Sequence, residues 1–349
     1  MGLLHEISAP RLRELLLGLS DRTIGIVGDL GLDAYWYADM TISVISRETP
    51  LFPRPVIREA YSPGAGANVA HNLSDLGVGR VVALSVLGDD WRGEILRREM
   101  HERRIDVERL LTSPLRSTTT FIKPILMGHN SEQEGARIDF ENAEPLDAGL
   151  EDELIQLVAS ELPDLDALLI ADQLDVNGIV TERVRNALNE MALANPTKVF
   201  VADSRQHIGE FRGVVVKPNW VEATKAIHPD RDARTVPQDE LAQIGRSLCQ
   251  RTGRPTFITL SEKGVLVCAD GEHRVVPAGP VRPPLDPVGA GDAFIAALAA
   301  SLCVGASPWE AGAIANLAAS VTVEKLNQTG TASPDEILAR YAMLDRTEP

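Results

Sequence analysis

Asp286-Pro287-Val288-Gly289-Ala290-Gly291-Asp292 runs without a break into Ala293-Phe294-Ile295-Ala296-Ala297-Leu298-Ala299-Ala300. The second half is apolar and alanine-rich, a strong helix-forming composition, so the glycines stand at a helix N-terminus. There, unpaired backbone N–H groups and the positive end of the dipole make an anion site, and Gly and Ala let a phosphate approach the backbone closely. Phosphoryl transfer asks for charge stabilisation on the moving group and an acceptor for the proton of the attacking hydroxyl. The backbone of Gly289, Ala290 and Gly291 can meet the first demand and the Asp292 carboxylate the second. The same residues also read as a tight turn with an acidic helix cap, so the flanking pattern has to decide.

Outward from this segment the chain alternates strand and helix. Thr23 to Val27 is a β-branched run that ends at Gly28-Asp29, like a buried strand emptying into a loop. Asn68 to Leu76 has helical spacing, Val81 to Leu87 reads as a strand, and Arg92 to Arg103 as an amphipathic helix. Strand Ala167–Ala171, helix Thr181–Ala194, strands Lys198–Ala202 and Val214–Lys217, helix Gln238–Thr252 and strand Thr256–Leu260 continue the series. This predicts a mainly parallel sheet with helices on both faces. Val265–Cys268 and Arg274–Val276, joined across Asp270-Gly271, read as a hairpin, and helices Asp292–Leu302 and Pro308–Val321 follow. Leu12 to Leu19, broken by Arg13 and Glu14, reads as a surface helix too short to span a bilayer. Residues 34–62 and 116–141 mix aromatic, β-branched and polar types with prolines, which predicts exposed strands forming a small β lid on one domain spanning 1–349.

Composition narrows the chemistry. The 349 residues carry 34 Lys and Arg against 50 Asp and Glu, a formal net charge of -16. A field of that sign repels nucleic acid and anionic lipid, so neither is an expected partner, and a phosphorylated ligand needs local donors or a metal ion. Cys249, Cys268 and Cys303 are odd in number and widely separated, which fits a reducing cytoplasm rather than a disulfide framework or a zinc site. The chain has no Walker loop and no dinucleotide G-x-G-x-x-G, since Gly64-Ala65-Gly66 lacks the third glycine. Its histidines form no metal-binding pair.

With both ends of the pattern in view, the sequence resembles the ribokinase-like (PfkB) carbohydrate kinase family from about Gly25 to about Glu336. Gly64-Ala65-Gly66-Ala67-Asn68-Val69-Ala70 with Leu76-Gly77 is similar to the family's glycine-rich sugar-site segment, and Asp286 to Asp292 to its anion-hole and catalytic-base signature. Gly28-Asp29, Asp33 to Tyr37 and Arg137 to Glu141 look most like the heptose-phosphate kinase subgroup. Two positions depart from that subgroup. The loop Asp172 to Gly178 is longer and has an acid near a usual lysine, and Ala65 stands where a glycine is usual.

The resemblance implies a three-layer α/β sandwich with a mainly parallel central sheet and a small β lid. It implies transfer of the ATP γ-phosphoryl group to a hydroxyl of a sugar or sugar phosphate, with Mg²⁺. Asp33, Gly64, Ala65, Gly66, Asn68 and Arg137 fall at substrate-side positions, and Lys123 joins Arg137 on the lid. Carboxylate and amide groups suit a polyol; Asp33 also reads as a turn or cap residue, and Asn68 equally as a helix cap. Asn219 and Glu222 match an N-x-x-E element near Mg²⁺ and the phosphates, and the same spacing is a capping box. Ser261 and Gly264 lie beside the nucleotide and Asn316 on its adenine side by the same comparison; alone they read as a turn and a packed polar residue. Asp286 falls at a monovalent cation position (K⁺), and the lid at a homodimer contact. A nucleoside kinase of the same fold and a non-catalytic sugar- or nucleotide-binding protein are the alternatives.

Overall fold

The computed structural model describes residues 3–326 and 329–344. The chain begins with α1 (Ala9–Leu17), β1 (Thr23–Gly28), β2 (Leu30–Asp39), β3 (Val56–Ala65), α2 (Gly66–Asp75), β4 (Arg80–Gly88) and α3 (Trp91–Glu102). Short strands β5 (Ile105–Asp106) and β6 (Leu110–Ser113) precede β7 (Thr120–Met127), β8 (Glu132–Glu134) and β9 (Ile138–Phe140). Then come α4 (Ala148–Glu161), β10 (Ala167–Asp172), α5 (Glu182–Ala194), β11 (Val199–Ser204), β12 (Val215–Val216), α6 (Trp220–Ile227), α7 (Gln238–Thr252) and β13 (Thr256–Thr259). The hairpin β14 (Val265–Ala269) and β15 (Glu272–Val276) leads to α8 (Ala290–Cys303), α9 (Pro308–Thr322) and α10 (Pro334–Leu344).

The larger sheet has the order β15-β14-β13-β12-β11-β10-β1-β4-β5, with β6 also on β4. The strands from β13 through to β5 pair in parallel, and β14 and β15 add an antiparallel edge. Parallel pairing requires helical crossovers and buries both faces. In β10, Ala167, Leu169 and Ala171 enter one core with residues of α2, α8 and α9. Leu168 and Ile170 enter the opposite core with residues of α4 and α5. A third cluster seats α6 and α7 on Ile258, Leu266 and Cys268. This two-sided burial is why the strands are unbroken apolar runs in the sequence.

The surface helix expected near the N-terminus is present as α1 and is amphipathic: Leu12, Leu15 and Leu16 enter the first core, while Leu17 is 77% exposed. Arg13 and Glu14 interrupt the apolar run without interrupting the buried stripe, because helical spacing puts them on the other face.

The two lid segments form a second sheet of order β3-β2-β7-β8, with β9 on β7. Residues 40–55, inside the first segment, form turns and irregular backbone rather than strand. A single residue, Asp29, separates β1 from β2, so the chain passes straight from the large sheet to the small one. Gly28 permits this passage: its φ is +129°, and a Cβ there would lie 2.1 Å from the Ala171 carbonyl oxygen. Ala65, where the resemblance calls for glycine, sits at φ 49° and ψ -135° just ahead of α2, a conformation that strains an L side chain.

Parallel strands bring their C-terminal ends to one edge. Asp29, Asp172, Ser204, Lys217 and Leu260 all stand at or just past strand ends there, the place where open α/β sheets bind ligands.

Candidate active site

α8 is buried from Ala293 to Ser301, and its two ends emerge, the first turn with Gly291 exposed. Gly289 is its N-cap, at φ +79°; a Cβ there would be 3.1 Å from Thr329 Cγ2 and 3.4 Å from Asn68 Nδ2. At Gly291 the nearest atom to a Cβ would be Lys217 Nζ, at 4.0 Å. The helix start therefore opens into space beside an ammonium group. Of the amides named from the sequence, that of Ala290 is engaged, donating to Pro287 O at 3.2 Å, while Ala293 N–H donates to Gly289 O at 3.0 Å. The N–H groups of Gly289, Gly291 and Asp292 have no backbone partner among the described residues, as the first-turn geometry of a helix requires, so two of the three amides named from the sequence stand open with that of Asp292 beside them.

Asp292, half-buried in that first turn, accepts a hydrogen bond from Asn68 Nδ2 at 2.7 Å. Burial pushes its pKa up to about 6, the Asn68 amide pulls against that, Asp203 adds to it, and Lys217 and the Gln173 side chain oppose it. A carboxylate poised there is ionised at neutral pH and a better proton acceptor than an ordinary aspartate. Asn68 is wholly buried on α2, and its Oδ1 has no partner. Gly66 seats α2 at this depth, since a Cβ would be 2.7 Å from Asp29 O and 2.8 Å from Ala171 Cβ.

Lys217 was missed from the sequence, where it only marked the residue before Pro218. It follows β12, is 5% exposed, and lies 3.2 Å from Asp203 Oδ1. Burial disfavours its charge, but Asp203 and Glu222 outweigh that and hold its pKa above the ordinary lysine value. A lysine closing an apolar strand at the ligand edge of the sheet was the available signal. Asn219 and Glu222 form the capping box of α6: Asn219 Oδ1 accepts from Val221 and Glu222 N–H at 2.9 Å, and Asn219 N–H donates to Glu222 Oε2 at 2.7 Å. Burial raises the Glu222 pKa against the pull of Lys217.

Asp33 is buried on β2, with Lys123 Nζ 3.1 Å away and Lys123 also 3.4 Å from Tyr35 Oη. Burial lifts the Asp33 pKa against the Lys123 charge. Gly64 makes room for it, because a Cβ there would lie 3.0 Å from Asp33 Oδ1. Arg137 binds Asp139 through two bonds of 2.7 Å and lies over the Phe121 ring, 4.7 Å from its centroid. Ser261 (φ +54°) and Gly264 (φ +95°) shape the turn after β13; a Cβ at Gly264 would be 2.2 Å from Val276 O. Asn316 spends its amide on Val276 O and Pro277 O, at 3.0 and 2.9 Å, pinning α9 to the chain after β15. Asp286 Oδ1 accepts from Val288 N–H at 3.0 Å, and Asp286 N–H donates to Val323 O at 2.8 Å.

Thus Gly289, Gly291, Asp292, Asn68, Lys217 and Glu222 meet at one crevice. Asp33, Gly64 and Lys123 lie on the smaller sheet, and Asn316 is tied to backbone at β15. Among the described residues no group of three or more His, Cys, Asp or Glu could hold a metal ion. The open first-turn amides and the buried Lys217 ammonium suit phosphate oxygens, and the Glu222 carboxylate is an oxygen donor of the kind a divalent ion takes.

The raised pKa of Asp292 has a sign for stability. Its folded pKa lies above its unfolded one, so the folded state holds the extra proton between about pH 4 and 6 and loses stability as pH rises through that window. Asp292→Asn removes this cost: its melting temperature should exceed that of the parent at pH 8, by up to about 3 kcal/mol of stability for a shift from 3.8 to about 6, with the gap shrinking toward pH 5. Equal melting curves at both pH values would contradict the burial of this charge.

Residues 58–336 match the pfkB family carbohydrate kinase profile. The bifunctional protein HldE of Hyphomonas neptunium is 32% identical over 340 residues, covering 94% of this chain and 66% of that protein. The chain spans a little under two thirds of the length of the bifunctional relatives it matches, 66% and 63% in two of them. Phosphofructokinase-2 from Escherichia coli in complex with potassium superposes with a TM-score of 0.68 at 20% identity, covering 93% of this chain and 99% of that one. Arabidopsis thaliana ribokinase complexed with ribose and ATP gives 0.63 at 15%, covering 91% and 98%. The sheet order, the helix start that faces Lys217 and the match over residues 58–336 agree, and the chain belongs to the pfkB family of carbohydrate kinases.

Proposed function

We propose that this chain transfers the γ-phosphoryl group of ATP to a hydroxyl of a sugar phosphate, a heptose phosphate being the first candidate. The observation that carries the reading is the Asp292 carboxylate, poised near pKa 6 in the first turn of a helix whose amides are open to an anion. Asp292 accepts the hydroxyl proton as the sugar oxygen bonds to the γ-phosphorus, the bond from that phosphorus to the bridging oxygen breaks, and ADP leaves with the electron pair. The amides of Gly291 and Asp292 and the Lys217 ammonium face the charge that develops on the moving group. Mg²⁺ carried by the nucleotide would neutralise phosphate charge; Glu222 is the side chain suited to one of its waters. Asp286 keeps the monovalent cation role that the family resemblance gave it.

The substrate class follows from the relatives and from charge. Relatives above 30% identity include bifunctional HldE proteins. Lys123, largely buried beside Asp33, and Arg137, whose field also reaches Asp33, supply the smaller sheet with cations that suit a phosphorylated sugar better than a neutral nucleoside.

Asp292→Asn should lower transfer to heptose phosphate by roughly 10²–10⁴-fold while nucleotide affinity, measured by calorimetry, survives. Retained turnover would end the mechanism, and turnover of ribose, fructose phosphates or nucleosides in preference to heptose phosphate would redirect the substrate. The lid is also proposed as a homodimer contact, since Ile42, Val44, Leu51 and Phe52 in the connection between β2 and β3, and Ile57 on β3, are each more than half exposed. Sedimentation should show a dimer that Phe52→Glu with Ile57→Glu dissociates; a monomeric parent would refute it.

A further inference from the structure

The smaller sheet has one apolar and one polar face. Leu32 and Ala34 on β2 are wholly buried, Leu32 in the first core with Tyr61 of β3 packed against it. Side chains alternate along a strand, so Asp33 and Tyr35 stand on the other face. The antiparallel register sets Ser62 of β3 directly opposite Asp33, and Gly64 opposite Gly31. The two glycines leave this face bare between the Asp33–Ser62 pair and α2, where Asn68 bonds Asp292. A Cβ at Gly31 would stand 3.3 Å from Thr119 O and 3.6 Å from Phe121 Cε2. On the far side of Asp33, Lys123 is held by Asp33 Oδ2 at 3.1 Å and by Tyr35 Oη at 3.4 Å.

One group on the polar face is unsatisfied. Ser62 Oγ is shielded from solvent and has no hydrogen-bond partner among the described residues. Asp33, although directly across the ladder, gives its Oδ2 to Lys123 instead. A buried hydroxyl without a partner costs free energy, so its presence in a native protein calls for a reason. Trp36 Nε1 is also unpartnered, but it belongs to the apolar face with Ala34 and Ala38. Ser62 and the Asn68 Oδ1 atom are the unpartnered groups on the side of the crevice. We propose that Ser62 is a specificity-determining residue, whose hydroxyl pairs with a sugar hydroxyl adjacent to the one bound by Asp33. The inference rests on the sugar-kinase reading above and narrows its substrate class to sugars with free hydroxyls on consecutive carbons. Serine suits the task, since its hydroxyl can donate or accept and adds no charge beside the Asp33–Lys123 pair. The groups run in order from Asp292 and Asn68, over the glycine floor, to Asp33 and Ser62, and then to Lys123. That order matches a sugar phosphate whose reacting alcohol and phosphate lie at opposite ends. A deoxy sugar would leave Ser62 unpaired in the complex, which discriminates more sharply than size does.

The test sets Ser62→Ala in the full chain against heptose phosphate and its monodeoxy analogues. With heptose phosphate, KM should rise about three- to tenfold, while kcat and the KM for ATP stay within about twofold of the parent. One monodeoxy analogue should be a poorer substrate for the parent and be used equally well by parent and variant, because the missing hydroxyl and the missing side-chain oxygen form one hydrogen bond. Ser62→Cys, which keeps the shape and only a weak donor, should share the rise in KM. Without sugar, Ser62→Ala should melt at or above the temperature of the parent, since it removes a buried hydroxyl that has no partner. KM values unchanged in both variants would overturn the proposal. So would a lower melting temperature in Ser62→Ala, which would assign the hydroxyl to a structural bond, with water or protein, in the free chain. A parent inactive on heptose phosphate would overturn the substrate reading and this inference with it.

Discussion

The fixed direction of α8 is the constraint on which the site depends. From Ala293 to Ser301 the helix has no face to turn outward, and burying it against α2, α9 and the sheet leaves one orientation, with the first turn at the ligand edge of the sheet. The dipole and the free amides are therefore aimed before any ligand arrives, which is the condition for preorganised electrostatic stabilisation. Gly289 completes the arrangement by turning the chain through a left-handed φ that a side chain would resist, next to Thr329 and Asn68. The base is carried by the same turn as the amides, so proton acceptor and anion site cannot drift apart.

Charge balance in the crevice is tight. Lys217 is surrounded by Asp203, Glu222 and Asp292, and the chain as a whole carries a net charge of -16. An isolated phosphate finds little long-range attraction under those conditions. Recognition has to come from short-range donors and from a cation brought with the nucleotide, which agrees with a site that has no three-carboxylate nest of its own among the described residues. Burial keeps the Asp292 pKa high, so the feature that makes the site costly in stability is the one that makes its carboxylate a useful base.

Most of the scaffold was legible because two-sided burial writes itself into strands such as Ala167 to Ala171, and because Gly289 to Asp292 precedes an unmistakable helix. α4 and α10 were not read. The first interleaves apolar and acidic residues over Leu150 to Glu161, with only Leu154 and Val158 buried, and the second buries Ile337, Arg340 and Tyr341 under polar neighbours. Within the site, Asp292 and Asn68 could be named from motif and helix start alone. Lys217 could not, because its importance lies in where β11 and β12 converge with the start of α8, which is a property of sheet order. The Ala290 amide was assigned to the cradle since sequence does not reveal that it turns back to Pro287.

The most direct measurement is the structure of this chain with ADP, Mg²⁺, aluminium fluoride and heptose phosphate. The account predicts the fluoride group within about 3 Å of the Gly291 and Asp292 amides, with Lys217 alongside and the Asp292 carboxylate on the acceptor hydroxyl. A fluoride group bound away from the α8 start, with Asp292 still turned to Asn68 and no hydroxyl in reach, would contradict it.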